Sequence, residues 1–242
     1  RYGALQKAFN DQLREWFWQR NTGTLYQVWQ PPGVLFCQLK KDHHEHGRHI
    51  PLWSEWAFPD QGELVGPPMH LVLGALGGRW AIWQARKRSK ERWFVADSSD
   101  ARMFHTFFRA MTTFGLDAED PDRSFPNLRL LYTSERLAPK FFPSSCLHSI
   151  HLHLPWLGRE TRPRRQALVT QKFVSDLAYS LQDHGELHVV TDDEQIAEAV
   201  SGILTRSKLL APCLAFPFHV AGVPSAYPTA GLLQTDVLEI RE

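Results

Sequence analysis

Short apolar runs alternate with helical patterns from Met69 to about residue 204, and this alternation limits the fold more than any other feature of the sequence. Met69–Leu73 is apolar and ends at Gly74, which is typical of a buried strand. The pattern predicts further strands over residues 93–96, 128–132, 147–152 and 186–190. It predicts helices over 78–89, from a cap at Ser98 or Ser99 to Gly115, over 166–182 and over 193–204. This order favours an α/β three-layer sandwich with a mostly parallel central sheet.

The two ends of the chain differ from this central part. Residues 209–220 and 232–240 are apolar, and they predict an antiparallel pair of edge strands after the parallel ones. Residues 4–20 carry apolar side chains at helical spacing, and residues 21–65 are rich in proline and histidine. We therefore expect an N-terminal helix with a loop-rich extension over 1–65, followed by one domain over 66–242.

Charge and cysteine usage limit the surroundings of the chain. The formal net charge is +1, so attraction to nucleic acid must come from local patches. No apolar run approaches the roughly 20 residues that cross a bilayer, so we expect no membrane partner. Cys37, Cys146 and Cys213 form no CxxC pair, which indicates a reducing, intracellular compartment. The chain begins at Arg1, and loss of a transit peptide would fit mitochondrial localisation.

The first candidate site is the glycine-rich turn after Met69–Leu73. Its sequence places Gly74, Ala75, Gly77 and Gly78 between a strand and a helix, where glycine lets a cofactor approach the backbone. About 20 residues later Asp97 ends the next predicted strand, where a carboxylate can accept both hydroxyls of a ribose. The pair fits S-adenosylmethionine or a dinucleotide. It equally fits a tight turn beside a solvated aspartate.

The second candidate site is a basic run that follows the fourth predicted strand. Arginine forks bind phosphates in a bidentate manner and tryptophan stacks on bases, so the run predicts RNA contact. The alternative is a solvated basic loop. The residues concerned are Trp156, Arg159, Arg162, Arg164 and Arg165.

A third group, Thr191 and Asp192, follows the fifth predicted strand. These side chains can contact a substrate, or they can cap the next helix. Two groups of histidines allow other interpretations. His43, His44, His46 and His49 lie in a loop without a recognised metal-ligand spacing, so we predict no metal site. His148, His151 and His153 are predicted to share one face of the fourth strand as packed, hydrogen-bonded side chains.

In order and spacing these features resemble the bacterial-type tRNA (guanine-N7)-methyltransferases. The resemblance covers roughly residues 52–200 and is most specific from Trp156 to Asp192. It implies a class I methyltransferase fold with S-adenosylmethionine as cofactor. The matching segments are Trp53–Trp56, residues 71–78, Asp97, residues 127–131 with 133–135, residues 152–156, residues 158–165, Gly185, and Thr191 with Asp192. The resemblance adds Ser134 and Glu135 to the residues expected at the cofactor.

The departures from the family pattern concern the expected chemistry. Leu76 stands where the family has the middle glycine, and Val72 stands where it has an acid. Ser134 replaces an aspartate. In an ungapped match anchored on Trp156, Leu154 occupies the position of the aspartate that, by the resemblance, orients the guanine, and an apolar side chain stabilises no charge there. A shift of one residue would put His153 at this position, which is not a carboxylate either. We therefore expect no catalytic residue at this position.

Three functions follow as hypotheses. The first is a methyltransferase-like protein that has lost catalysis and binds RNA or a ribonucleoprotein complex, for example in mitochondrial ribosome assembly. It binds S-adenosylmethionine weakly or not at all. The second is an active RNA (guanine-N7)-methyltransferase in which Asp97 holds the ribose and Asp192 the base. The third is a nicotinamide-dependent oxidoreductase, which leaves the basic run unexplained.

Overall fold

The computed structural model describes residues 34–36, 66–115, 125–153, 168–191 and 193–212. The predicted N-terminal helix and the histidine-rich loop lie outside these residues. The strands are β1 (Val34–Phe36), β2 (Met69–Leu73), β3 (Arg92–Asp97), β4 (Leu128–Tyr132), β5 (Leu147–His153) and β6 (Leu181–Val190). The α-helices are α1 (Arg79–Lys87), α2 (Asp100–Phe114), α3 (Gln171–Ser180) and α4 (Glu194–Thr205), and a 3₁₀ helix spans Ala138–Phe141.

The strands form one parallel sheet in the order β1-β4-β3-β2-β5-β6. The chain runs from β2 outward through β3 to β4, and then returns to place β5 on the other side of β2. The order of the strands therefore reverses between β2 and β5, which is where parallel sheets of this kind bind ligands. The prediction of an α/β fold with a mostly parallel sheet is confirmed.

Alternate side chains of each strand enter one of two cores. Val72, Trp93 and Val95 face α1 and α2, whereas Leu71, Leu73 and Phe94 pack in the second core with α3, α4 and the 3₁₀ helix. This burial on both faces explains why the strands read as continuous apolar runs. Helices on both faces of the sheet make the three layers.

Local sequence sets the ends of the helices. Ser99 caps α2 by accepting the N–H of Arg102 at 3.4 Å, and Gly115 ends the helix at φ 65°. Cap chemistry predicts a cap at Ser98 or Ser99 and a stop at Gly115, and the cap is Ser99. Asn127 secures the end of α1, because its Nδ2 donates to the carbonyl oxygens of Ala85 at 2.8 Å and Glu91 at 2.8 Å.

Two predicted elements differ from the structure. The helix predicted over 166–182 is α3, which begins at Gln171 after its cap Thr170. The strand predicted over 186–190 begins at Leu181, and its pairing with β5 shifts register between Leu147 and Ser149. The antiparallel edge pair lies mostly outside the described residues, and its described part, 209–212, is not in a strand. Among the helices that the structure describes, none is long and apolar enough to cross a membrane.

Candidate functional site

The turn after β2 lies against the end of β5. Gly74 has φ 84°, and a Cβ atom at this position would lie 2.9 Å from the carbonyl oxygen of His153. The Gly74 N–H donates to the Ala96 carbonyl at 3.0 Å, which fixes the start of the turn on β3. Both the φ angle and the close approach require glycine here. The predicted turn is therefore at the point where the strand order reverses.

Gly78, the last glycine of the turn, lets α2 pack closely against the turn. Gly78 has φ 72°, and a Cβ atom there would lie 2.3 Å from Cγ2 of Thr106 in α2. Arg109, also in α2, donates a hydrogen bond to the carbonyl oxygen of Gly77. These contacts hold α2 against the turn. The glycine-rich sequence thus has a structural role in this chain whether or not a ligand approaches it.

Leu76 adopts a backbone conformation that favours glycine. Its φ is 46°, in the left-handed region that leucine rarely enters. The family pattern has glycine at this position, and the backbone shows why. The leucine side chain is half-buried and lines a small recess beside the turn. The chain has therefore kept the shape of the turn while adding a side chain to it.

The recess lies between the turn, α1 and the end of β5. Its volume is about 10 Å³, which is room for about one water molecule. Its lining residues are Val72, Ala75, Leu76, Arg79, Trp80, Ala81 and His153. Ligand pockets for molecules of drug size usually measure roughly 300 Å³ or more. The recess itself is therefore too small for such a ligand.

Asp97 ends β3 as predicted, and it is completely buried. Its Oδ2 accepts the N–H of Ala75 at 2.9 Å, and its Oδ1 accepts the N–H of Ser99 at 2.8 Å. The carboxylate also accepts two hydrogen bonds from Arg102, from Nε to Oδ2 at 2.7 Å and from Nη2 to Oδ1 at 2.9 Å. Asp97 is thus held by the turn, by the start of α2 and by a bidentate ion pair.

Arg102 was not recognised from the sequence. The hydrogen bonds to Asp97 raise the pKa of its guanidinium above the ordinary value, although partial burial opposes this. The nearby carboxylate of Glu135 acts in the same direction. The sequence contains a signal for this ion pair, because a cation in the first turn of a helix opposes the helix dipole and needs an anion nearby. The acid five residues earlier is that partner.

Ser134 and Glu135, which the resemblance assigned to the cofactor, follow β4 on the same edge of the sheet. Thr133 links this segment to β3, because its N–H donates to the carbonyl oxygen of Asp97 at 3.2 Å. The carbonyl oxygen of Ser134 accepts the N–H of Leu137 at 2.9 Å. The structure therefore brings the turn, Asp97 and the end of β4 together, as the sequence predicted.

The helix after β6 is capped by a residue that the sequence analysis did not choose. Asp193 accepts the N–H groups of Gln195 at 2.9 Å and Ile196 at 3.1 Å through Oδ1. Thr191 is buried, and its hydroxyl accepts the N–H of Asp193 at 3.2 Å. Asp192 lies outside the described residues. The predicted contact of Thr191 with a substrate stays a prediction, and a buried hydroxyl does not favour it.

The basic run and Leu154 lie outside the described residues. This applies to Trp156, Arg159, Arg162, Arg164 and Arg165. His153, the last described residue before that segment, ends β5 and lies beside Gly74 of the glycine turn. The role of the run in RNA contact stays a prediction.

A line of hydrogen-bonded histidines crosses the sheet beneath α1. The hydroxyl of Ser149 lies 2.7 Å from Nδ1 of His70 and 2.7 Å from Nε2 of His151. A hydroxyl can donate to one ring and accept from the other. His151 stacks on His188 at a centroid distance of 4.6 Å, and His70 stacks on Trp93 at 4.2 Å. We call His70, Ser149, His151 and His188 the histidine line.

An acid stands at each end of the histidine line. Nε2 of His70 lies 3.1 Å from Oε2 of Glu91, without hydrogen-bond alignment, and Nε2 of His188 lies 2.9 Å from Oε2 of Glu186. Glu91, His70 and Ser149 thus stand in the order of a hydrolytic triad. Ser149 is 4% exposed and its hydroxyl is shared with His151, so it cannot reach a substrate. This arrangement supports the sheet and is not a nucleophilic site.

Burial keeps the histidine rings neutral. Desolvation lowers the pKa of His70 to about 3 and that of His153 to about 4, and nearby histidines add to the effect. The pKa of His151 is lowered for the same reasons. The prediction of packed histidines on β5 is correct for His151 and His153. It is wrong for His148, which is exposed, because its sequence number differs from those of the other two by an odd number and so its side chain lies on the opposite face of the strand.

Within the described ranges, no group of three histidine, cysteine or acidic side chains is arranged to hold a metal ion. The histidine-rich loop at 43–49 is outside those ranges. Cys146 is a free thiol whose pKa burial raises to about 12, so it is not a reactive nucleophile at neutral pH. The candidate site therefore depends on the turn, Asp97 and their neighbours.

Residues 68–211 match the model of a family described as "Putative methyltransferase". The chain is 23% identical over 190 residues to a tRNA (guanine-N(7)-)-methyltransferase of Chlamydia pneumoniae, which is 78% of this chain and 76% of the relative. The family and the relative are both described as methyltransferases, which is what the order of motifs in the sequence predicts.

Solved structures with a similar fold include two methyltransferases. The antibiotic-resistance methyltransferase Kmr has a TM-score of 0.39 at 19% identity, covering 55% of this chain and 64% of Kmr. The 16S rRNA methyltransferase KamB has a TM-score of 0.39 at 15% identity, covering 73% of this chain and 69% of KamB. The match with Kmr thus spans less than two thirds of its length.

Proposed function

Because this chain belongs to the methyltransferase family that includes the tRNA (guanine-N7)-methyltransferases, we propose that it is an RNA-binding protein of methyltransferase fold that has lost methyl transfer. The observation that carries the proposal is Leu76, which stands in the glycine turn with a φ of 46°, a backbone conformation that favours glycine. A leucine side chain at this position takes up space beside the turn that the methionine part of S-adenosylmethionine would need.

The sequence supports the same proposal at the substrate side. Leu154 stands at the position where the resemblance implies a catalytic aspartate. A leucine neither accepts a hydrogen bond nor balances charge that develops during transfer. Leu76 and Leu154 would thus affect the cofactor and the substrate separately.

RNA binding is supported by the basic run and by the relative. Four arginines and Trp156 follow β5, and the relative from Chlamydia pneumoniae is named for a tRNA substrate. We propose a structured RNA, tRNA or rRNA, as the partner. The finer proposal of mitochondrial ribosome assembly predicts that the protein sediments with ribosomal particles from that organelle.

A methylation assay tests the loss of activity. The full chain is incubated with radiolabelled S-adenosylmethionine and either tRNA or rRNA, with the Chlamydia pneumoniae relative as the positive control on tRNA. We expect incorporation no higher than in the blank without protein. Incorporation that rises with the amount of protein and disappears in Asp97→Ala would contradict the proposal.

Fluorescence anisotropy with labelled tRNA and with an rRNA fragment tests RNA binding. Replacement of Arg164 and Arg165 by alanine is expected to weaken binding and to reduce the slope of log affinity against log salt by about 2. Arg86→Ala, an exposed cation in the last turn of α1, is the matched control and should leave the slope unchanged. Equal affinity and slope in all three proteins would contradict the RNA contact.

An active RNA (guanine-N7)-methyltransferase is the second candidate, and one observation favours it. Asp97 ends β3 beside the glycine turn, which is where the resemblance implies the acid that binds the cofactor ribose. The same methylation assay decides between the two functions.

A further inference from the structure

We propose that Arg102 blocks the cofactor site, because it holds the carboxylate of Asp97 to which a cofactor ribose would bind. The inference deepens the proposed function and rests on it, since it identifies the residue that excludes the cofactor from a methyltransferase fold.

Every acceptor position of Asp97 is filled from within the protein. An ionised carboxylate offers about four lone-pair positions. Asp97 uses two for the N–H groups of Ala75 and Ser99 and two for the fork of Arg102. The backbone donors belong to the turn and to the start of α2, so they stay in place. A ribose could gain acceptors only by displacing Arg102.

The competition favours Arg102. Its hydrogen bonds to Asp97 join two charged groups, whereas ribose hydroxyls are neutral donors, and charge-assisted bonds are roughly twice as strong. The two parallel hydrogen bonds from the planar guanidinium also fix the orientation of Arg102 relative to the carboxylate. The side chain of Arg102 is 48% exposed, while that of Asp97 is completely buried. The cation thus covers the acid from the solvent side, which is the side from which a ligand arrives.

The guanidinium can be removed without loss of the helix that carries it. Ser99 holds the start of α2 through the backbone, with its carbonyl oxygen 2.8 Å from the Met103 N–H. Its hydroxyl accepts the Arg102 N–H at 3.4 Å. Neither bond involves the arginine side chain. A substitution at Arg102 therefore leaves the backbone bonds at the start of α2 in place, while it removes the ion pair with Asp97.

Calorimetric titration with S-adenosylhomocysteine tests the inference on the full chain. We compare the unmodified protein, Arg102→Ala and the control Arg86→Ala, which removes an exposed cation of α1. Arg102→Ala is expected to bind at least about tenfold more tightly than the unmodified protein, while the control does not change. The gain should disappear with the 2′-deoxy form of the probe, because only the ribose hydroxyls use the freed acceptors.

Arg102→Gln, whose neutral amide can still donate a hydrogen bond to Asp97, provides a second variant in case Arg102→Ala unfolds, and circular dichroism verifies that both are folded. An unchanged affinity in a folded Arg102 variant would overturn the inference. A gain in Leu76→Gly without a gain at Arg102 would overturn it too, and would assign the block to the leucine. In both cases the proposed loss of methyl transfer stands. Micromolar binding by the unmodified protein would instead contradict the proposed function.

Discussion

The carboxyl edge of the sheet and its centre bury polar groups by opposite means. At the edge, Asp97 is buried as one half of an ion pair, with Arg102 reaching it from the solvent side. In the centre, His70 and His151 are buried as neutral rings joined through Ser149. Buried charge needs a partner, whereas buried imidazole needs hydrogen bonds and a pH above its pKa. The ion pair should therefore respond to substitution, and the buried histidines to acid.

Acid is expected to give the largest effect on stability. The pKa values of His70 and His153 are lowered to about 3 and about 4 in the folded protein, so below pH 6.5 the unfolded chain binds protons that the folded one does not. Stability is therefore full above pH 6.5 and falls as the pH drops toward 4. Each of the two histidines should remove about 2 kcal/mol between pH 7 and pH 5.

Urea unfolding at pH 7, 6 and 5 measures this loss. The variant His70→Phe keeps the stacking on Trp93 and should show a smaller loss between pH 7 and 5 than the unmodified protein. An unfolding free energy that is constant over this range would mean that the rings are not buried as neutral groups.

Replacement of Asp97 by asparagine should have the next largest effect. The change replaces a carboxylate that accepts four hydrogen bonds by an amide with a single oxygen, and the donors left unsatisfied should lower the free energy of unfolding by about 3 kcal/mol. The exposed Asp183→Asn is the matched control, with an effect within about 0.5 kcal/mol. Equal midpoints of denaturation for the two variants would show that the ion pair does not hold the edge.

The smallest effect is expected in the histidine line itself. Ser149→Ala removes the hydroxyl between two buried rings, which should lower the free energy of unfolding by about 2 kcal/mol at pH 7. Ser175→Ala, on the exposed face of α3, is the control. If thermal denaturation shows no difference between the two variants, the hydroxyl does not join the rings.

Features that depend on neighbouring residues along the chain could be predicted from the sequence. The alternation of strands and helices, the cap at Ser99, the stop at Gly115 and the place of Asp97 at a strand end all follow from local chemistry. The resemblance to a methyltransferase family was likewise visible in motif order, and the family match confirms it.

Contacts that depend on which strands become neighbours in the sheet could not be predicted from the sequence. His70 and Ser149 are 79 residues apart, and they meet because β2 and β5 are adjacent in the sheet. The bond of Arg102 to Asp97 depends on the angle at which α2 leaves β3. The positive φ of Leu76 follows from the turn and not from leucine, whose own preference opposes it.

We expect Arg102 to keep its hydrogen bonds to the carboxylate of Asp97 and so to exclude a cofactor ribose from it. Nuclear magnetic resonance of the Arg102 Nε–H, assigned by comparison with Arg102→Lys, follows that bond while S-adenosylmethionine is added. We expect the signal to keep its position up to about 1 mM cofactor, the concentration range of very weak binding. A signal that shifts and saturates at micromolar cofactor would show that the ribose displaces the arginine, and would contradict the account.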